Sequence, residues 1–410
     1  MSAGNEQAAA QTLVSDAAWQ VSPDLPRSLR GILSLHDFER VARRILPGSI
    51  FGYVAGGVED EVSVHANRAA FSEWSLRPRV LIDVSRRNSV TKLFGRNYAA
   101  PFGIAPMGGA GLIGFQADLA MAAAAAEKNI PFILSGASLV PMERVAGVNR
   151  GAWFQAYLPS DRRQVPPLLD RAAKAGYETL VVTVDVPVPG NRENNMRNGF
   201  TSPLRPTLRL ALDGVTHPRW LLGTAFRTLM REGMPYFENY GATRGAPVLS
   251  SRATIDTIRD ALCWQDLEAI RAQWNGSLVI KGVLARDDVR VARESGADAI
   301  VVSNHGGRQL DGVVASLQVL PELAAEAGEM TVLFDSGVRR GSDVIKALAL
   351  GAHFVFVGRP FLYAAAIAGQ SGVGHAIDLL RKEVERNLAM LGCVNCGNLG
   401  PCVVRTGTPA

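Results

Sequence analysis

The chain has 410 residues, 47% of them hydrophobic and 20% charged, the make-up of a globular protein with room for one large domain or two small ones. Its net charge of +5 is spread among 38 acidic residues rather than gathered in blocks. That pattern does not imply nucleic-acid binding and leaves an anionic substrate or an anionic membrane surface open.

In chain order, residues 1–30 are rich in Ala, Ser, Pro and Gln and read as a mobile tail. The stretch MSAGNEQAAAQTLVSDAAWQ lacks the basic and apolar regions of a secretory signal. No apolar run reaches the ~18 residues of a spanning helix. A cytoplasmic location is therefore expected, with room for a peripheral contact on the inner face of the cell membrane. From Leu33 to Arg44 a helical pattern follows, with Ser34 as its candidate N-cap.

From Pro101 onward, short apolar runs recur at 102–107, 132–136, 153–157, 179–185, 278–282, 299–307, 332–337 and 354–358. Helical stretches such as QADLAMAAAAAEKN, DRRQVPPLLDRAAKAG, DDVRVARESG and SDVIKALALG separate most of them. Runs apolar on both faces and alternating with helices predict parallel strands. Eight such units, with no GxGxxG turn to open them, fit an α/β (β/α)8 TIM barrel better than a doubly wound sheet. The interval from Asp185 to Leu278 is too long for a loop and predicts an insertion after the fourth strand. The expected organisation is a barrel domain over 31–395, an insertion over 190–262 and a C-terminal tail over 396–410. Cys393, Cys396 and Cys402 have no further Cys or His beside them, so structural thiols and no metal site are expected.

Barrel chemistry gathers at the C-terminal strand ends. Here those ends read Met107-Gly108, Ser135, Gln155 with Tyr157, Thr183 with Asp185, Lys281, His305 with Arg308, Asp335, and Gly358-Arg359. One polar strand end is ordinarily a capped loop. A ring holding a histidine, carboxylates, a lysine and several arginines is the population of an acid-base and anion-binding site. DSGVRRGSD and VGRP each open a helix, and their amides with Arg339 or Arg359 suit a phosphate monoester.

SNHGGRQLDG, DSGVRRGSDVIKALALGA and VGRP resemble the signatures of the FMN-dependent 2-hydroxy-acid oxidase and dehydrogenase family, as do FGYVAGGVEDE, RPRVLIDVS, TVDVPVPGNRE and VIKGV. The likeness spans about residues 33 to 395. It implies a barrel with FMN on its C-terminal rim that oxidises an (S)-2-hydroxy acid to the 2-keto acid. By the same resemblance His305 is the base, Asp185 holds its imidazole, and Arg308 and Arg192 bind the substrate carboxylate, where a guanidinium gives two parallel bonds. Tyr53 and Tyr157 match the tyrosines that touch the substrate. Lys281 matches the lysine that favours the anionic reduced flavin. Ser135, Gln155 and Thr183 are expected on the flavin ring, and Pro106, Met107 and Gly108 beside it. Asp335 falls to the ribityl chain and Arg339, Gly358 and Arg359 to the phosphate, with Ser303 and Gly337 completing the cofactor set.

Two departures refine the expectation. Ala137 stands where glycolate oxidase has a tryptophan, implying a wider pocket, and Gly108 matches the dehydrogenases that react slowly with oxygen, implying a quinone or other acceptor. The stretch 208–235 mixes Trp220, Leu221, Leu222, Phe226, Leu229 and Met230 with Arg209, Arg219, Arg227 and Arg231. That composition fits either an interfacial membrane contact through 205–240 or a lid. Its DGVTHPRW and GMP stretches look most like the membrane-associated (S)-mandelate dehydrogenase branch. The expected substrate is thus bulky or aromatic, as (S)-mandelate is. L-lactate oxidation, a peroxide-releasing oxidase and a non-redox phosphate-binding barrel are the alternatives. Relatives of this kind are often homo-tetramers, and that assembly is expected here.

Overall fold

The computed structural model describes residues 25–201, 205, 207–250 and 258–405. All eight expected strands are present: β1 (Phe102–Ile104), β2 (Ile133–Ser135), β3 (Trp153–Ala156), β4 (Thr179–Thr183), β5 (Ser277–Val283), β6 (Ala299–Val302), β7 (Thr331–Phe334) and β8 (Phe354–Val357). They form one parallel sheet in the order β1-β8-β7-β6-β5-β4-β3-β2. A parallel bridge between Ile104 and Phe132 joins β1 to β2 and closes the barrel.

Eight helices follow the strands: α1 (Ala117–Glu127), α2 (Met142–Val148), α3 (Val165–Lys174), α4 (Trp264–Gln273), α5 (Arg286–Glu294), α6 (Ser316–Ala327), α7 (Gly341–Ala349) and α8 (Arg359–Leu391). The sequence pattern missed α2, α4 and α6, and of α8 it gave only the start, at VGRP. In α6, Pro321 sits inside the helix, and α8 is two helices joined at a kink where Gly369 takes φ +55°. Both features read in a sequence as breaks. The N-terminal helix runs over Leu35–Ile45, with Ser34 as its N-cap in a capping box with Asp37.

Side-chain alternation explains the site that this barrel builds. Successive residues of a strand point to opposite faces, so positions two apart share the lumen. Ile133, Trp153, Val181, Val279, Val301, Leu333, Phe354 and Phe356 fill that lumen as one apolar cluster. Two residues on, the same faces carry Ser135, Gln155, Thr183, Lys281, Ser303, Asp335 and Gly358. Two more residues along three of the chains come Tyr157, Asp185 and His305. The strands are shorter than their apolar runs because these last residues have left the ladder. A hairpin, Thr91–Leu93 with Arg96–Tyr98, packs Leu93 and Tyr98 into the lumen cluster at the opposite end.

Both chain ends differ from the sequence reading where they are described. Residues 1–24 of the expected N-terminal tail lie outside the described residues, while Leu29 is fully buried in the core. At the other end, Val403–Arg405 pairs antiparallel with Trp74–Leu76. Cys393 and Cys402 are buried with their Sγ atoms 3.3 Å apart. The expected C-terminal tail over 396–410 thus supplies an edge strand up to Arg405. A three-residue strand whose partner lies over 300 positions away leaves no local period to read.

Between β4 and α4 the described chain forms short helices, Glu193–Arg197, Leu208–Val215 and a helical run from Pro218 to Arg231 with a π-helical turn over Leu221–Phe226. Leu208, Leu212, Val215, Leu222, Phe226, Leu229 and Met230 are all exposed. Trp220 turns inward and donates from Nε1 to the carbonyl of Leu112 at 2.8 Å. Among the described residues, no helix is long and apolar enough to cross a membrane.

Candidate active site

A cavity of about 370 Å³ opens at the C-terminal end of the barrel. Pro106, Met107, Gly108, Thr183, Lys281, Asp335, Gly337, Arg339, Gly358 and Arg359 line it, together with Tyr53, Tyr157, Arg192, His305 and Arg308. Ser135, Gln155, Asp185 and Ser303 stand immediately behind, each bonded to a lining residue or its neighbour.

His305 owes its placement to an unusual backbone. His305, Gly306 and Gly307 have φ of 57°, 67° and 73°, three successive left-handed residues. A Cβ at Gly307 would lie 2.7 Å from Val64 N, so the glycine is sterically required there. The histidine bears the strain of a left-handed conformation, a cost typical of functional positions. Asn304 fastens the turn through a reciprocal amide pair with Asn67 (2.8 and 2.9 Å) and accepts from Gly307 N at 3.2 Å. Asn67 and Asn304 were both missed in the sequence, since neither belongs to the pattern of rim charges.

The imidazole Nδ1 lies 2.9 Å from Asp185 Oδ1, and Nε2 lies 3.5 Å from the Tyr157 hydroxyl. With Asp185 ionised, Nδ1 carries the proton and Nε2 keeps its lone pair on the cavity side. Burial pushes the His305 pKa below 6.5, Lys281 and Arg192 push the same way, and Asp185 opposes them. The ring is therefore neutral at neutral pH and able to accept a proton. Burial works against the charge on Asp185, but His305 and Lys281 outweigh it and hold its carboxyl below the ordinary range. Gly282 makes the approach of Asp185 feasible: its φ is +108°, and a Cβ there would come within 2.6 Å of Asp185 Cβ.

Lys281 donates to Ser303 Oγ at 2.9 Å and pairs with Asp335 Oδ2 at 3.2 Å. Burial disfavours its charge, yet Asp335 and Asp185 raise its pKa overall, so it is a fixed cation. Arg308 donates to the carbonyl of Gly56 at 2.6 Å, and Arg359 donates to those of Val54 and Gly306, each at 3.0 Å. Arg192 donates to Gln309 Oε1 at 2.7 Å. Among the described residues none of Arg192, Arg308, Arg339 and Arg359 has a carboxylate partner. Burial, then Arg192 and Arg359, push Arg308 down to about 9, and burial with Arg359 pushes Arg339 down to about 10. Buried cations that repel one another and lack a counter-ion make a site for anions.

Two further features test the fit of a flavin phosphate. Gln155 Oε1 accepts from Ser135 Oγ and Gly136 N, so its buried Nε2 is left without a protein partner, as is Thr183 Oγ1. These are polar atoms awaiting a ligand with matching groups. Gly337 takes φ +82° and a Cβ on it would lie 2.5 Å from the Asn67 carbonyl, so the turn leading to Arg339 packs directly on that backbone. The donors present thus match a planar heteroaromatic ring at one end and a phosphate at the other.

Among the lining residues that escaped the sequence reading are Phe237, Tyr240, Val248 and Arg259. All four come from the insertion. The Arg259 guanidinium lies 5.1 Å from the Tyr157 ring centroid and 5.9 Å from that of Tyr240. No local pattern in a segment without repeating elements could have assigned them to the rim.

A barrel rim with a buried histidine–carboxylate pair, a fixed lysine and a cluster of buried arginines without carboxylate partners is that of a barrel enzyme built for an anionic cofactor or substrate. The FMN-dependent dehydrogenase family model matches residues 42–406, and the chain belongs to that family, with FMN as its cofactor. L-lactate dehydrogenase of Ectopseudomonas mendocina is 42% identical over 87% of this chain and 94% of its own length. (S)-Mandelate dehydrogenase of Pseudomonas putida is 37% identical over 91% and 93%. The crystal structure of the monotopic membrane protein (S)-mandelate dehydrogenase superposes with a TM-score of 0.84 at 36% identity, covering 92% of this chain and all of that one.

Proposed function

We propose that this enzyme oxidises an (S)-2-hydroxy acid with a bulky or aromatic side chain, such as (S)-mandelate, to the 2-keto acid. The observation that carries the reading is the neutral His305, held by Asp185, in one cavity with Arg192 and Arg308. The two guanidiniums bind the substrate carboxylate and thereby bring its hydroxyl-bearing carbon to the histidine. His305 Nε2 takes the substrate proton, and the Asp185 carboxylate stabilises the imidazolium that results. Tyr157, beside Nε2, orients the substrate oxygen, and Tyr53 adds a contact to the carboxylate. Ser135, Gln155, Thr183 and Lys281 hold the flavin ring, with Pro106, Met107 and Gly108 alongside; Ser303 and Asp335 support Lys281, and Gly337, Arg339, Gly358 and Arg359 take the phosphate. Bound FMN supplies the acceptor for the two electrons that leave the substrate.

Room for a large side chain is supported by Ala137, opposite Gly108, and by a wall of Phe200, Phe237, Tyr240 and Val248. The second reading is L-lactate, favoured by the 42% identity to a relative with that name. Anaerobic mixing with (S)-mandelate and with L-lactate, followed by flavin absorbance, separates them: bleaching by mandelate but not by its (R) partner is expected. Bleaching by lactate alone overturns the assignment of a bulky substrate.

The same proposal sends electrons on to a quinone or another membrane-borne acceptor, with the protein peripheral on the inner face of the cell membrane. The exposed apolar face of 208–230, flanked by the exposed Arg219, Arg227 and Arg231, supports this. So does the likeness to a monotopic membrane protein. We read the assembly as a homo-tetramer, for which sedimentation of the detergent-free protein is the check.

A further inference from the structure

Tyr53 reaches the cavity from the helix Gly48–Ala55, whose own N-cap, Pro47, offers no side chain to the free amides. The missing acceptor arrives from 164 residues away. Asp213, in helix Leu208–Val215 of the insertion, accepts from Gly48 N, Ser49 N and Ser49 Oγ, each at 3.0 Å. Burial opposes the charge of this carboxyl, but the Ser49 and Gly48 bonds outweigh it and hold its pKa below the ordinary value. An ionised carboxylate therefore sits on the positive end of the helix dipole.

The opposite end of the same helix is held by cations. Arg308 and Arg359 donate to the carbonyls of Val54 and Gly56, at its last turn. An anion at the N-terminus and two guanidiniums at the C-terminus complement one dipole, so the helix is clamped along its axis. Sideways it is fitted closely to Glu193–Arg197 and the residue beyond: a Cβ at Gly52 would lie 2.6 Å from Asn198 Nδ2, and one at Gly56 2.2 Å from Asn194 Nδ2. Tyr53 then donates to the carbonyl of Gly108 at 3.0 Å and stacks on Phe200 with ring centroids 4.4 Å apart.

We infer that Asp213 is a positioning residue for substrate binding: from the insertion it fixes the helix that presents Tyr53, joining that segment mechanically to the substrate site. Neither Asp213, Gly48 nor Ser49 lines the cavity, so the effect passes through the helix. The helix bearing Asp213 exposes Leu208, Leu212 and Val215 on its outer side. One element thus meets the surroundings and holds the substrate helix. The inference rests on the reading that Tyr53 contacts the substrate.

Losing the cap lowers the fraction of molecules with the helix in its binding position, and apparent affinity falls by that fraction. The test compares KM, kcat and FMN content of Asp213→Ala, Asp213→Asn and Tyr53→Phe, each loaded with FMN. In Asp213→Ala, KM should rise about five-fold, equivalent to about 1 kcal/mol at 1.4 kcal/mol per decade, with kcat and FMN content nearly unchanged. Asp213→Asn keeps an acceptor oxygen and should recover part of the loss. A normal KM in Asp213→Ala beside a raised KM in Tyr53→Phe overturns the inference and leaves the reading of Tyr53 standing. A normal KM in Tyr53→Phe overturns that reading and the inference with it. If the alanine variant does not fold, the asparagine variant decides: a raised KM with normal kcat supports the inference, and a normal KM overturns it. Parallel loss of kcat and FMN with unchanged KM marks a general structural role and also overturns it.

Discussion

At the barrel rim, charged groups are buried; in the segment 208–230, apolar groups are exposed. Lys281 and Asp335 are 4% and 7% exposed, whereas Leu208 and Met230 are 78% and 69% exposed. Each arrangement is unfavourable in isolation, the first through desolvation and the second through hydration of apolar surface. Each therefore marks a place where something else completes the structure. At the rim that is an anionic ligand and a cofactor phosphate, and over the insertion the function we propose supplies an apolar phase. The two regions are not independent, because Asp213 ties one to the other.

The largest effect should come from the rim. His305→Ala removes the group that, in the function we propose, takes the substrate proton, and anaerobic flavin reduction should slow by about 10²–10⁴-fold while FMN remains bound. Loss of FMN instead would mean that His305 holds the fold of the rim rather than the proton. Because burial keeps its pKa below 6.5, kcat/KM should be constant at neutral pH and fall as pH drops through a midpoint below that value. Asp185 is the group that opposes this depression, so Asp185→Asn should move the midpoint further down as well as lowering kcat. A midpoint that rises in the variant contradicts the assignment.

A third rim substitution addresses the cofactor end. Arg359→Met deletes hydrogen bonds to Val54, Gly56 and Gly306 and one charge of the arginine cluster proposed to take the phosphate. FMN affinity should fall about ten- to a hundred-fold, read by equilibrium dialysis of the free flavin. The insertion offers the contrasting case. Leu222→Asp, Phe226→Asp and Met230→Asp together should release the protein from anionic vesicles by a factor of about 100 or more, since each buried apolar side chain contributes about 1.5–3 kcal/mol. Anaerobic reduction by substrate should be untouched. If partition does not change, the exposed face is not what meets the membrane.

How far the sequence could be read follows the same division. The lumen ladder Val181, Thr183, Asp185 and its counterpart Val301, Ser303, His305 are visible because a period of two is local. HGG and VGRP are visible because glycine and arginine together mark tight turns near anions. By contrast, the carboxylate that caps Gly48 and Ser49 comes from position 213, and the partner of Trp74 is Arg405. Tyr240 and Arg259 reach the cavity from a segment without alternation. Contacts of that separation are set by tertiary packing and leave no trace in a window of a dozen residues.

The smallest expected effect sits between the two regions, at Gly108. An alanine there would place its Cβ 2.8 Å from Ala137 Cβ, closer than carbon atoms approach without movement, and 3.8 Å from Ser135 Oγ. The turn must shift, and overpacking of this kind costs about 1–3 kcal/mol. If the substrate side chain lies against the wall that residues 108 and 137 form, Gly108→Ala should raise KM for (S)-mandelate a few-fold and leave that for a short hydroxy acid nearly unchanged. Adding Ala137→Gly removes the clash and should restore mandelate binding, giving a coupling energy that neither single change shows. Equal rises for long and short substrates, with no rescue by Ala137→Gly, would place the side chain elsewhere, against Phe237 and Tyr240. The insertion would then supply the specificity as well as the clamp on Tyr53.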